Sequence, residues 1–201
     1  QDPHWYKVLE KQMAISGFEI QVARKAALNQ ILASQQKTTT EFPFANLELK
    51  QIDGNLAQSE VDLQDAFAES RRRDLLSGRT TVGPHKADIF GTYATKGIAA
   101  SQCSTGEQKA LLISIVLANA RAISAHASKA PLLLLDEISA HLDKKLRTAL
   151  YEEICNLGLQ AWMTGTEEDL FLEFADNAQY LSVCEDGSMS SIEKKSEIFS
   201  K

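Results

Sequence analysis

The segment Pro131-Leu132-Leu133-Leu134-Leu135-Asp136-Glu137 limits what this chain can fold into more than any other. Its four consecutive leucines suit a strand buried on both faces, in the middle of a parallel sheet. Ligands of such sheets bind outside the carboxyl ends of the strands, where Asp136 and Glu137 would emerge. Unpaired carboxylates are costly to bury, so a pair in that place usually holds a metal ion, a cation or a reacting water. A buried strand followed by an ordinary polar turn reads the same way.

A second motif lies upstream. Ser104-Thr105-Gly106-Glu107-Gln108 precedes the apolar run Ala110-Leu111-Leu112-Ile113-Ser114-Ile115-Val116-Leu117-Ala118. Ser104 with Glu107 three residues later is a capping box, and the run behind it is the helix it opens. That helix is apolar around most of its circumference and is expected to lie buried beside the sheet. Its N-terminus offers free N–H groups and partial positive charge to an anion, with Gly106 permitting close approach and Ser104 adding a donor. A well-capped core helix is the plainer alternative.

Composition narrows the class. The chain has 201 residues, 44% hydrophobic and 24% charged, as in a soluble globular protein of one domain or two small ones. No apolar run spans a bilayer and no signal-peptide pattern opens the chain, so the expectation is a cytoplasmic protein without a membrane partner. The three cysteines, Cys103, Cys155 and Cys184, are odd in number and widely spaced, unlike a disulfide framework or zinc site. A net charge of −6 is unusual for a nucleic-acid binder. Local charge differs: Arg71, Arg72, Arg73 and Arg79, with His85 and Lys86, form a basic stretch that is either a solvated helix end or a phosphate-contacting surface.

Residues 4–36 read as helix interrupted at Gly17, Phe42–Ile52 as a strand, and Val61–Leu76 as a helix with acids early and arginines late. A boundary is expected at Ser77-Gly78, separating a mostly helical arm (1–76) from an α/β body (77–201). In that body Thr80–Val82 and Asp88–Thr95 read as strands, Glu107 to Ala127 as the buried helix, and Lys144–Leu157 as a helix ending at Gly158. Gln160–Thr164 reads as the next strand, and Gln179–Val183 with Met189–Ile192 as a hairpin around Asp186-Gly187.

Taken together, Ser-x-Gly-Glu, a long buried helix, the leucine strand, Asp-Glu and Ser139-Ala140-His141-Leu142-Asp143 resemble the second half of an ABC-type ATPase head. Within that group the finer likeness is to the RecF family, SMC-like ATPases of bacterial recombination and repair. Arg79-Thr80-Thr81-Val82-Gly83-Pro84-His85-Lys86-Ala87-Asp88 and the opening Trp5 to Gln12 also resemble that family. The likeness covers most of the chain and is weakest at its end. It implies an α/β fold, the C-terminal half of the head with a sheet flanked by helices, preceded by the helical arm.

The resemblance also implies roles. Ser104, Thr105, Gly106 and Glu107 match the signature motif, which touches the ATP of an opposing head. Asp136 and Glu137 end Walker B and are the catalytic candidates, Asp136 also holding Mg2+ and Glu137 serving as general base. Asp143 matches the D-loop near the subunit interface. Arg71, Arg72, Arg73, Arg79 and Lys86 are candidates for DNA contact. The implied partners are gapped or single-strand/double-strand junction DNA, a second copy on ATP binding, and recombination mediators such as RecR, in replication, repair and SOS induction. Two departures stand out. Thr105 replaces the first glycine of the commoner Ser-Gly-Gly, and Met163-Thr164-Gly165-Thr166 replaces a switch histidine, leaving Thr164 or Thr166 as donors to the γ-phosphate and slow hydrolysis as the expectation. No Gly-x-x-x-x-Gly-Lys-[Ser/Thr] loop is present, so the chain is expected to be a C-terminal fragment that does not hydrolyse ATP alone. A nucleotide-binding subunit of another ABC-type ATPase, such as a transporter, or a non-catalytic dimerisation module are the competing readings.

Overall fold

The computed structural model describes residues 3–126, 131–138, 142–186 and 189–195. They form two compact units: Gln1–Thr38 with Pro43–Ser104, and Thr39–Phe42 with Thr105–Lys201.

The first unit is built on α1, Pro3–Gln36. Gly17 does not interrupt it. The residue is helical and buried, and a Cβ there would lie 3.0 Å from Leu63 Cδ2 and 3.4 Å from Pro84 Cδ. Glycine therefore serves close packing against α2, Glu60–Ser77. Helix α2 starts where the Ser59 hydroxyl accepts the Asp62 N–H at 3.1 Å, and it ends at Gly78, whose φ of 67° suits glycine. Its arginines stand before the last turn, which carries no basic residue. Ala14, Leu63 and Phe67 form the core between the helices.

Strand β1, Ala45–Gln51, alternates buried Ala45, Leu47 and Leu49 with exposed Asn46, Glu48 and Lys50, the period of a half-buried strand. It pairs antiparallel with β2, Ala87–Tyr93, which pairs with β3, Ile98–Ala99. The buried Gln35 amide extends this sheet at one end, donating to the Ala45 carbonyl at 3.1 Å and accepting the Ala45 N–H at 3.0 Å. The β1–β2 ladder, from Ala45 opposite Tyr93 to Gln51 opposite Ala87, ties residues beyond Ser77 into the first unit. The division accordingly falls at Ser104 and Thr105, not at Ser77-Gly78. Strand β1 is also shorter than the expected Phe42–Ile52, since Phe42 sits in the core of the second unit.

The second unit runs through α3 (Thr105–His126), β4 (Leu133–Leu135), α4 (Lys144–Leu157), β5 (Ala161–Met163), a 3₁₀ segment (Glu168–Asn177), β6 (Tyr180–Asp186) and β7 (Met189–Lys195). Strands β4 and β5 pair in parallel, and β6 and β7 form the expected hairpin, with its connecting residues outside those described. Leu117, Leu133, Leu135, Leu150, Tyr151 and Phe174 lie in one core packed from α3, both sides of the β4–α4 connection and the 3₁₀ segment. The leucine strand is buried on one face only. Leu133 and Leu135 point inward, whereas Leu132 and Leu134 are 53% and 70% exposed, and Trp162, opposite Leu134 in register, is 52% exposed. The reason is that helices cover one side of a two-stranded sheet. Helix α3 is likewise not wholly buried, since Leu112 and Ile123 face solvent. No helix among the described residues is long and apolar enough to cross a membrane.

Forcing a branched side chain into the α1–α2 contact tests this packing. Gly17→Val is expected to destabilise the protein by about 1–3 kcal/mol, read from urea denaturation; an unchanged midpoint would show that Leu63 simply withdraws.

Candidate functional site

The parallel register of β4 and β5 sets opposite one another the residues that leave the two strands. Leu135 pairs with Met163, and the ladder continues through Thr164 N–H to the Leu135 carbonyl at 3.1 Å. Asp136 and Glu137 on one strand end therefore meet Thr164 on the other. The Thr164 hydroxyl donates to Asp136 Oδ1 at 2.5 Å and accepts the Glu137 N–H at 3.0 Å. Glu137 has φ of 49°, the left-handed region that a side chain makes unfavourable by about 1–3 kcal/mol. Both carboxylates are exposed.

A hydroxyl has one proton, and an ionised carboxylate can only accept. The Thr164 proton thus goes to Asp136. Asp136 Oδ2 has no hydrogen-bond partner among the described residues and remains open to a cation. Among these residues no three His, Cys, Asp or Glu side chains gather as a metal cage. The donor set fits a Mg2+-like ion, which takes one or two carboxylates and completes its shell with phosphate oxygens and water.

Ser104 is exposed and immediately precedes α3; Thr105 and Gly106 are exposed in its first turn and Glu107 is half-buried there. Nothing lies within 4 Å of a Cβ built on Gly106, so internal packing does not require glycine at that position. Asp143 has a structural task that sequence reasoning missed: its Oδ1 accepts the Leu146 N–H at 2.8 Å and caps α4. The remaining D-loop match, Ser139 to His141, lies outside the described residues.

The basic stretch separates into two kinds of residue. Arg71 makes a bidentate pair with the buried Glu10, at 2.6 and 2.7 Å, and stacks its guanidinium 5.2 Å from the Tyr6 ring centre. The hydrogen bonds to Glu10 push its already high pKa further up. Its role is to hold α1 to α2, and nothing in the sequence pattern signals Glu10 as its partner. Arg72, Arg73 and Arg79 are exposed, and Lys86 is half-buried. Residues Thr80–Val82 are not a strand, because the backbone bonds to a side chain: the Thr81 N–H and hydroxyl both go to Asp74 Oδ1, at 3.0 and 2.6 Å. Partial burial tends to raise the Asp74 carboxyl, but the bonds from Thr81 and Ser70 outweigh it and hold it below its ordinary value.

No protein-family model matches the chain. Curated relatives do. The DNA replication and repair protein RecF of Rhizobium etli (strain CIAT 652) is 44% identical over 191 residues, covering 92% of this chain and 51% of that protein. RecF of Agrobacterium fabrum is 42% identical over 193 residues, at 92% and 51% coverage. Over the span it covers, the chain is similar to RecF. It spans about half the length of these RecF relatives. A solved RecF–ATP structure, of the recombination mediator in the RecFOR pathway, superposes with a TM-score of 0.68 at 17% identity, covering 98% of this chain and 52% of that one. A second structure of that mediator, RecF–ATPrS, gives 0.64 at 21% identity, with 83% and 46% coverage. The chain thus has the mixed α/β fold of the corresponding part of RecF.

Two measurements check the supports around the site. Asp143→Ala is expected to lower stability by about 0.5–2 kcal/mol in urea denaturation while Asp143→Asn, an equally good cap, does not; equal losses would contradict the capping role. Stability contributed by the depressed Asp74 carboxyl is present above its ordinary value of 3.8 and lost as pH falls through the lowered folded value. Asp74→Asn is therefore expected to show a shallower fall in urea midpoint than the parent below about pH 4; parallel curves would contradict the network.

Proposed function

We propose that this chain supplies the signature, Walker B and D-loop elements of a RecF-type ATPase head, in which ATP-driven pairing of two heads controls binding to gapped or junction DNA. The observation that carries the reading is the exposed Asp136–Glu137 pair at the end of a parallel strand, in a chain 44% identical to a RecF protein. Asp136 holds Mg2+ through its open oxygen, directly or through water. Bound Mg2+ neutralises charge on the phosphates. Glu137 orients the attacking water or takes its proton. Ser104, Thr105, Gly106 and Glu107 present the start of α3 to the γ-phosphate of the opposing head's ATP, and Asp143 lies near that interface.

Two structural features support the wider reading. Arg72, Arg73 and Arg79 expose cationic groups suited to DNA phosphates, with Lys86 nearby in sequence, while Arg71 is committed to Glu10. The open apolar face of Leu132, Leu134 and Trp162 suits a further protein layer, and the part of a RecF-length polypeptide that this chain does not span would cover it. With threonine rather than histidine beyond β5, hydrolysis is slow and acts as a timer. The intact protein then works in the cytoplasm in repair, replication and SOS induction, handing gaps to mediators such as RecR.

Glu137→Gln in the full-length protein is expected to keep ATP affinity but slow hydrolysis by about 10²–10⁴-fold, the usual contribution of a general base. Measured by equilibrium nucleotide binding beside steady-state phosphate release, unchanged turnover would overturn the assignment.

A further inference from the structure

We infer that Thr164 is a positioning residue, whose hydroxyl sets both Walker B carboxylates before nucleotide arrives. The inference deepens the ATPase reading and rests on it. Three observations combine. The hydroxyl bridges two consecutive residues of the site, donating to Asp136 Oδ1 at 2.5 Å and accepting from Glu137 N–H at 3.0 Å. Glu137, the residue so held, has a backbone at φ of 49°, a conformation that persists only when its surroundings enforce it. Thr164 itself is fixed by its place in the β4–β5 ladder, through its N–H to the Leu135 carbonyl.

Each bond has a distinct consequence. The bond to Oδ1 selects one orientation of the Asp136 carboxylate and leaves Oδ2 as its available ligand atom, so Asp136 offers a cation one oxygen and not a bidentate grip. The bond from the Glu137 amide holds the left-handed turn, which determines where the Glu137 side chain starts. Removing the hydroxyl frees the carboxylate to rotate and leaves the Glu137 N–H without its partner. Outer contacts of this kind typically change metal affinity or activity by about 10–100-fold. Glycine follows at position 165 for a separate reason, since a Cβ there would meet Phe171 Cζ at 2.8 Å; this fixes the path of the chain just beyond the hydroxyl.

The test compares Thr164→Val, which keeps the shape and removes the hydroxyl, with Thr164→Ser, which keeps the hydroxyl, in the full-length protein. Hydrogen exchange at the Glu137 amide, measured without nucleotide, is expected to quicken at least about tenfold in the valine variant and to stay near the parent in the serine variant. The Mg2+ concentration giving half-maximal ATP hydrolysis is expected to rise about 10–100-fold in the valine variant, with ATP affinity changed far less, and to be restored by serine. Parental exchange and Mg2+ dependence in the valine variant would overturn the inference, as would a serine variant that fails like valine. Glu137→Gln separates the two levels: parental turnover in that variant defeats the ATPase reading, whereas the amide exchange still judges the hydroxyl bridge by itself.

Discussion

The parallel pairing of β4 with β5 is the constraint on which the rest of the site depends. Only three residues of each strand take part, yet their register decides which side chains meet beyond the strand ends. With Leu135 beside Met163, the next residues are Asp136 and Thr164, and the hydroxyl lies within reach of the carboxylate and the following amide. A slip of one residue would turn Leu133 and Leu135 out of the core and bring Leu134 in. The burial of those two leucines against α3 and α4 therefore holds the site in register as well as holding the unit together.

Elsewhere the structure relies on side chains that substitute for backbone partners. The Gln35 amide completes one end of β1, Asp74 binds the segment around Thr81, and Asp143 starts α4. Glu10 and Arg71 join α1 to α2 beside the close approach at Gly17. Of these polar groups Glu10 and Gln35 are buried, and each finds the specific partner that burial requires. The same commitments divide the arginine cluster: Arg71 is tied to Glu10 and Arg73 donates to the Thr81 hydroxyl, while Arg72 and Arg79 remain at the surface.

What could be read from the sequence follows the reach of the interactions involved. Helix α4 was legible from Lys144 to its stop at Gly158, which acts within one turn of chain, whereas the Asp143 cap went unread. The acidic strand end and the helix opened at Thr105 were legible for the same reason. Gly17 was misread as an interruption because its partner, Leu63, is distant in sequence. Thr80–Val82 looked extended, but the Asp74 carboxylate competes for its backbone. The boundary after Ser77 failed because β2 returns to β1, a pairing that local pattern does not reveal. The leucine run promised two buried faces; a strand's alternation with one covering layer gives one. Thr164 was noticed, but its bond to Asp136 depends on strand register and required coordinates.

If Thr164 orients Asp136 as we infer, a single carboxylate oxygen faces a nucleotide-bound cation. The most direct measurement is a crystal structure of the full-length protein with a non-hydrolysable ATP analogue and Mg2+. The account predicts Mg2+ facing the Asp136 oxygen that Thr164 does not bind, directly at about 2.0–2.1 Å or through one water, with the Thr164 hydroxyl still on the other oxygen. A cation held away from Asp136, or a Thr164 hydroxyl turned from the carboxylate to a phosphate, would contradict it.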